Sequence, residues 1–137
     1  MKATGLFKVT SWDEKPCDEG WGGAKVTRAS VTQTVSGDIE GDARVEYLMI
    51  YLEGGTATFL AAVLVTGALD GKSGSFVLEG KGTYADGAAT CNFSVVAGAG
   101  SGELAGLRGT GNYVAKHAEY PNVPFTLDYQ LDASNKL

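Results

Sequence analysis

A length of 137 residues, 44% of them hydrophobic and 20% charged, suits one globular domain that buries roughly two thirds of the surface its unfolded chain exposes. With 16 acidic against 11 basic residues the net charge is −5, and no cluster of Lys and Arg interrupts it, so nothing offers nucleic acid an electrostatic footprint. The 20 glycines and 3 prolines point to a turn-rich fold, and the longest apolar stretch, Phe59 to Val65, is far too short to span a bilayer.

The chain opens on Met-Lys-Ala-Thr-Gly-Leu-Phe-Lys, which has no apolar run of the signal-peptide kind. A soluble protein of the cytoplasm is therefore expected. Thr4 to Trp12 alternates in strand fashion, and so does Ala24 to Ser36, where Val31 and Val35 share one face while Arg28, Ser30, Thr32 and Thr34 occupy the other. Between them, Cys17 is one of two cysteines, and neither it nor Cys91 has metal-ligand spacing, so both are expected as free thiols. Ser36 to Asp42 (SGDIEGD) supplies turn chemistry, and Ala43 to Glu53 (ARVEYLMIYLE) follows. Helix formers compete there, but Val45, Tyr47, Ile50 and Tyr51 between two glycine turns favour a strand.

Glu53-Gly54-Gly55 leads into a strand over Thr56 to Leu69, and Asp70-Gly71 leads into another over Ser75 to Tyr84. Asp-Gly is a strong hairpin signal, and it recurs at Asp86-Gly87 before the strand Ala89 to Ala97. Gly71-Lys72-Ser73 resembles the end of a P-loop, but Thr66 stands where that loop requires its first glycine. The stretch Gly98 to Gly111, GAGSGELAGLRGTG, contains a near-copy of the dinucleotide fingerprint. That fingerprint needs a helix after it, and Gly106, Gly109 and Gly111 fall where the helix would run, each costing about 1 kcal/mol relative to Ala. Nucleotide binding is excluded on that ground, and these glycines are expected to let strands bend. Asn112 to Ala115 is a further strand, Lys116-His117 and Tyr120-Pro121 lie in a loop, and Phe125 to Leu131 closes the pattern with clean alternation. His117 is the only histidine, so a His-rich metal site is excluded, and no cofactor is expected.

Eight short strands joined by hairpins, without a convincing helix, give an all-β fold. An open sheet of that size leaves two bare edges, so a closed eight-stranded antiparallel barrel spanning residues 1–137 as one domain is predicted. Glycines at Gly74, Gly80 and Gly82, and at Gly102, Gly106, Gly109 and Gly111, suit its corners.

The segments SWDEKP at Ser11 to Pro16, SGDIEGDARVEYLMIY at Ser36 to Tyr51, and GKSGSFVLEGKGTYADG through GSGELAGLRGTG resemble a bacterial family of small domains of unknown function over almost the whole chain. That family is similar in fold to the allene oxide cyclase barrels, and the resemblance implies a barrel, cyclase-like or lipocalin-like, with a central cavity. The SGELAGLRG segment resembles the cyclases' glycine-rich late strand. It is a fold signature, and no catalytic role carries over onto Trp12 to Pro16.

Both faces of Arg44 to Tyr51 are largely apolar: Glu46, Leu48 and Ile50 form one, and Val45, Tyr47, Met49 and Tyr51 the other. If the Glu46 face points inward, desolvation would raise that carboxyl's pKa and make it a general acid or base; if outward, Glu46 pairs with Arg28 or Arg44 at the rim. The apolar face left outside would then serve a homo-oligomer, most simply a dimer. Glu14, two positions after Trp12, would lie beside the indole near the barrel mouth, and Tyr47 and Tyr51 would offer phenolic donors. Glu46, Glu14 and Tyr51 are thus the candidate catalytic residues. Trp12, Arg28, Tyr47, Phe76, Cys91 and Tyr129 are the candidates for lining a ligand cavity. Three functions follow: cofactor-free isomerisation or cyclisation of a small apolar substrate, non-catalytic carriage of a small hydrophobic ligand, or a structural barrel with a filled interior whose outer apolar face serves oligomerisation.

Overall fold

A computed structural model describes residues 1–18 and 20–131. Eight long strands appear: β1 (Lys2–Pro16), β2 (Lys25–Gly37), β3 (Ile39–Tyr51), β4 (Ala57–Leu69), β5 (Lys72–Ala85), β6 (Ala88–Val95), β8 (Leu107–Lys116) and β9 (Asn122–Leu131), with a two-residue β7 (Ser101–Gly102) before β8. Every pairing is antiparallel, in the order β4-β3-β2-β1-β9-β8-β6-β5, and β4 also pairs with β5. The sheet therefore closes on itself, leaving no long edge. A single 3-10 turn, His117–Glu119, is the only helical element among the described residues, and it precedes the cis Tyr120–Pro121 bond.

Both Asp-Gly hairpins form as their sequence dictates. Asp70 and Gly71 have φ of 52° and 75°, and Asp86 and Gly87 have 55° and 78°, the paired positive φ that a tight turn matching strand twist requires. The turn before β3 is tighter than its sequence suggests. β3 begins at Ile39 rather than Ala43, because Asp38 closes the hairpin alone: its carboxylate accepts from the Thr4 amide at 2.8 Å while its own amide donates to Thr4 O.

Odd-numbered residues of β3 and β4 face inward, from Ala43 and Val45 to Phe59 and Val63, and the buried residues form one cluster. In β1 the parity changes. The register slips between Val9 and Ser11, so Thr10 is an extra residue and the inward set shifts from Ala3 and Phe7 to Trp12 and Glu14, which lie opposite Val31 and Ala29 of the inner face. Without that bulge the indole and the carboxylate would point into solvent.

The two ends of the barrel differ. At one end Leu69, Phe76, Leu104 and Leu127 are fully buried, each such side chain contributing about 1.5–3 kcal/mol of burial free energy. The glycine-rich segment is the cap of this end: Glu103 N donates to Ser73 O at 2.8 Å, Ser73 N donates to the Glu103 carboxylate at 3.0 Å, and Leu104, 1% exposed, plugs the interior. It bends the chain, as its glycines imply, and no helix follows it. Farther along, Gly82 of β5 lets strand and ring approach, since a Cβ there would lie 2.3 Å from both Phe59 Cζ and Thr90 O.

Candidate functional site

The other half of the barrel is hollow. A cavity of about 440 Å³ lies between the strands and opens at the end formed by the C-termini of β1, β3, β5 and β8. Its size is near the lower end of small-molecule sites, room for roughly fifteen waters at about 30 Å³ each. Its walls are mainly apolar and aromatic: Trp12, Tyr47, Met49, Phe59 and Tyr113 stand around it, with Ala89 and Ala115 leaving space on the β6–β8 side. Gln33, Phe7, Val45 and Val63 line it where the interior becomes packed. Below them a space of only about 10 Å³ lies between Val35, Val65, Phe76, Phe93 and Phe125.

The aromatic side chains fix one another. Tyr47 stacks on Trp12 with ring centroids 5.6 Å apart and meets Phe59 edge-on at the same separation. Its hydroxyl lies 3.0 Å from that of Tyr113 across the barrel, so one phenol donates to the other and one hydrogen is left to donate elsewhere. Burial pushes the Tyr47 phenol up to about 12, the Tyr113 contact opposing it, and burial with the neighbouring Tyr47 raises Tyr113 well above its ordinary value. Both stay protonated near neutral pH.

At the mouth, Glu14 is an acceptor with three donors. Trp12 Nε1 reaches one carboxylate oxygen at 2.9 Å; Thr27 Oγ1 reaches the other at 2.6 Å, and the Tyr51 hydroxyl donates to that same oxygen. Burial alone would raise this carboxyl, but the hydrogen bonds from Thr27, Tyr51 and Trp12, helped by the charge of Lys25, outweigh it and hold Glu14 below its ordinary 4.5. Burial and the Glu14 carboxylate together push Tyr51 up to about 12. A group with a lowered pKa contributes stability above its unfolded value and loses it as the pH falls through the folded one. Glu14→Gln is therefore expected to cost about 1–2 kcal/mol in urea unfolding at pH 7, with the gap to wild type closing as the pH falls below the ordinary carboxylate range.

The structure brings Trp12, Glu14 and Tyr51 together at the mouth; Trp12, Tyr47 and Tyr51 line the cavity, and Glu14 stands behind them without lining it. Five others do not reach the cavity. Glu46 lies on the outer face, where it accepts from Ser30 Oγ at 2.9 Å and pairs with Arg28 at 3.9 Å, the two side chains 50% and 72% exposed. The rim pairing, not the inward carboxylate, is what forms, because Val45 is the ladder partner of the inward-facing Val31 and Val63, which leaves Glu46 on the opposite face. Arg28 is outside with it. Phe76 belongs to the packed half, Tyr129 is buried at the closed end beyond it, and Cys91 sits in the wall below Gly80 without lining the cavity.

Gln33, Tyr113, His117 and Tyr120 line the cavity without having been singled out as ligand-lining. The signal for two of them is present in the sequence: Gln33 stands at even spacing between Val31 and Val35, and Tyr113 continues the face of Gly109 and Gly111. His117 and Tyr120 are brought to the mouth by the 3-10 turn, which no periodicity encodes. A second concavity, open to solvent on the outside of the barrel, is lined by Arg28, Glu46, Leu60, Glu79, Lys81 and others. It encloses too little to desolvate a small molecule. Among the described residues no three His, Cys, Asp or Glu side chains cluster as metal ligands, and no helix is long and apolar enough to cross a membrane.

Comparison with known proteins agrees with this architecture. No curated protein matches the chain significantly. A crystal structure of a protein with unknown function from the DUF3224 family of Shewanella oneidensis MR-1 is similar to it, with a TM-score of 0.76 and 29% identity over 96% of this chain and 98% of that one. The model of the family described as protein of unknown function DUF3224 matches residues 3–129. The chain belongs to the DUF3224 family.

Proposed function

We propose that the barrel binds a small, largely apolar molecule in its hollow half, entering past Trp12 and Tyr120. The observation that carries this reading is the cavity itself: about 440 Å³ walled by aromatic and aliphatic side chains in a protein whose other half is packed nearly solid. An unfilled void of that size lowers stability, so its retention favours an occupant. Glu14, with three donors, acts as a brace that fixes the indole and Tyr51 at the entrance.

The phenols support a second reading, cofactor-free isomerisation. Tyr47 and Tyr113 are held protonated in a largely apolar space, where a free O–H would stabilise charge developing on a substrate oxygen. Among the described residues no carboxylate lines the cavity, which favours binding over catalysis. Native mass spectrometry of protein purified gently from its own host, followed by denaturing extraction, separates the readings. A co-purifying apolar molecule of about 10–20 heavy atoms is expected from the size of the site; recovery of its isomer after incubation supports catalysis, and bare protein at every preparation counts against both.

A further inference from the structure

Among the described residues two polar side chains, Thr27 and Gln33, are buried in the interior, and they are treated differently by the fold. Thr27 donates to Glu14. Gln33 is 6% exposed, lines the cavity, and its Oε1 is the buried side-chain oxygen or nitrogen that finds no protein partner among the described residues. Its ladder neighbours are Val9 on β1 and Ala43 on β3, and the cavity wall around it is Phe7, Val45 and Val63. None of these side chains can donate a hydrogen bond. Buried polar groups nearly always have a partner, and an orphan is costly enough that a valine or leucine would be the stable choice here.

We infer that Gln33 is the recognition group at the floor of the cavity, and that the ligand is an uncharged ring compound carrying one hydrogen-bond donor, a hydroxyl or N–H, at the end that enters first. This inference rests on the binding reading above and narrows it. The flat ring follows from the walls, since Trp12, Tyr47 and Phe59 present aromatic faces and edges to the same space. The donor follows from the free carbonyl oxygen of Gln33. The absence of charge follows from the floor, where no cationic side chain lies among the lining residues; Lys116 and His117 line the cavity at its mouth. In the empty site Gln33 Oε1 is buried without a partner, and the amide turns about its terminal bond to meet the ligand's donor when it binds.

The test is a titration, followed by calorimetry, of 2-naphthol and its methyl ether, which has the same ring and no donor, against the wild type and Gln33→Met. The wild type is expected to bind the naphthol and to lose about tenfold or more of its preference over the ether when Gln33 becomes Met, while the variant melts at the same or a higher temperature. Indole and 1-methylindole provide the same comparison within the wild type alone: tighter binding of indole, despite its smaller apolar area, is the expected result, and it does not depend on the variant folding. If the probes bind but the preference is unchanged in Gln33→Met, or 1-methylindole binds more tightly than indole, the Gln33 assignment is overturned while the binding reading stands. If none of the four probes binds, the binding reading fails and takes the assignment with it.

Discussion

Ala89→Phe is expected to leave the protein folded and to weaken uptake of 2-naphthol by at least about 100-fold. Ala89 of β6 pairs with Ala115 of β8, and both methyl groups face the hollow half, so the space next to them is what the ligand would occupy. A phenyl ring grown from position 89 projects into that space from a strand fixed on both sides by β5 and β8. In a packed core such an enlargement costs about 1–3 kcal/mol, but here it fills a void, and cavity filling commonly stabilises by about 0.5–2 kcal/mol. Thermal melting with and without the probe measures both effects. Unchanged affinity in a folded variant would mean that the probe binds elsewhere, for instance in the open concavity beside Leu60.

Phe76→Ala is expected to show the opposite pattern: a loss of about 3–5 kcal/mol in urea unfolding, with naphthol affinity within about threefold of wild type in the folded fraction. Phe76 is 1% exposed and packs in the half of the barrel where only about 10 Å³ is free, so its removal opens a cavity that Leu78, Phe93 and Leu127 cannot fill without moving the sheet. It does not touch the hollow half. A selective loss of affinity without loss of stability would return Phe76 to the ligand site and would move the boundary between the two halves.

The strands and their closure were legible because β-structure writes itself in period two, and because Asp70-Gly71 and Asp86-Gly87 specify their own turns. The end-capping role of Gly98 to Gly111 was legible only in part: its glycines exclude a helix, but that Leu104 plugs the barrel depends on β7 folding back on Ser73 to Ser75, a contact between residues about thirty apart. The orientation of β3 was not legible, because Glu46, Leu48 and Ile50 are nearly as apolar a set as Val45, Tyr47 and Met49. Closure decides it. Once Val31 and Val63 fix the inner face, their ladder partner Val45 must join them and Glu46 must leave. At Trp12 and Glu14 the outcome depends on one bulged residue, Thr10, which alternation cannot reveal. Their mutual proximity survived because residues two apart share a face on either side of a bulge. Tyr129 shows the converse limit, that an inward face says nothing of height along the barrel, and height separates the packed half from the hollow one.

The most direct test of a ligand inside the hollow half is anomalous scattering from crystals soaked with 6-bromo-2-naphthol. A bromine peak inside the barrel, with the ring between Trp12, Tyr47 and Phe59 and its hydroxyl within hydrogen-bond distance of Gln33 Oε1, is the expected result. Bromine confined to the outer surface, with Trp12 and Tyr47 still stacked over an interior that admits nothing, would contradict it.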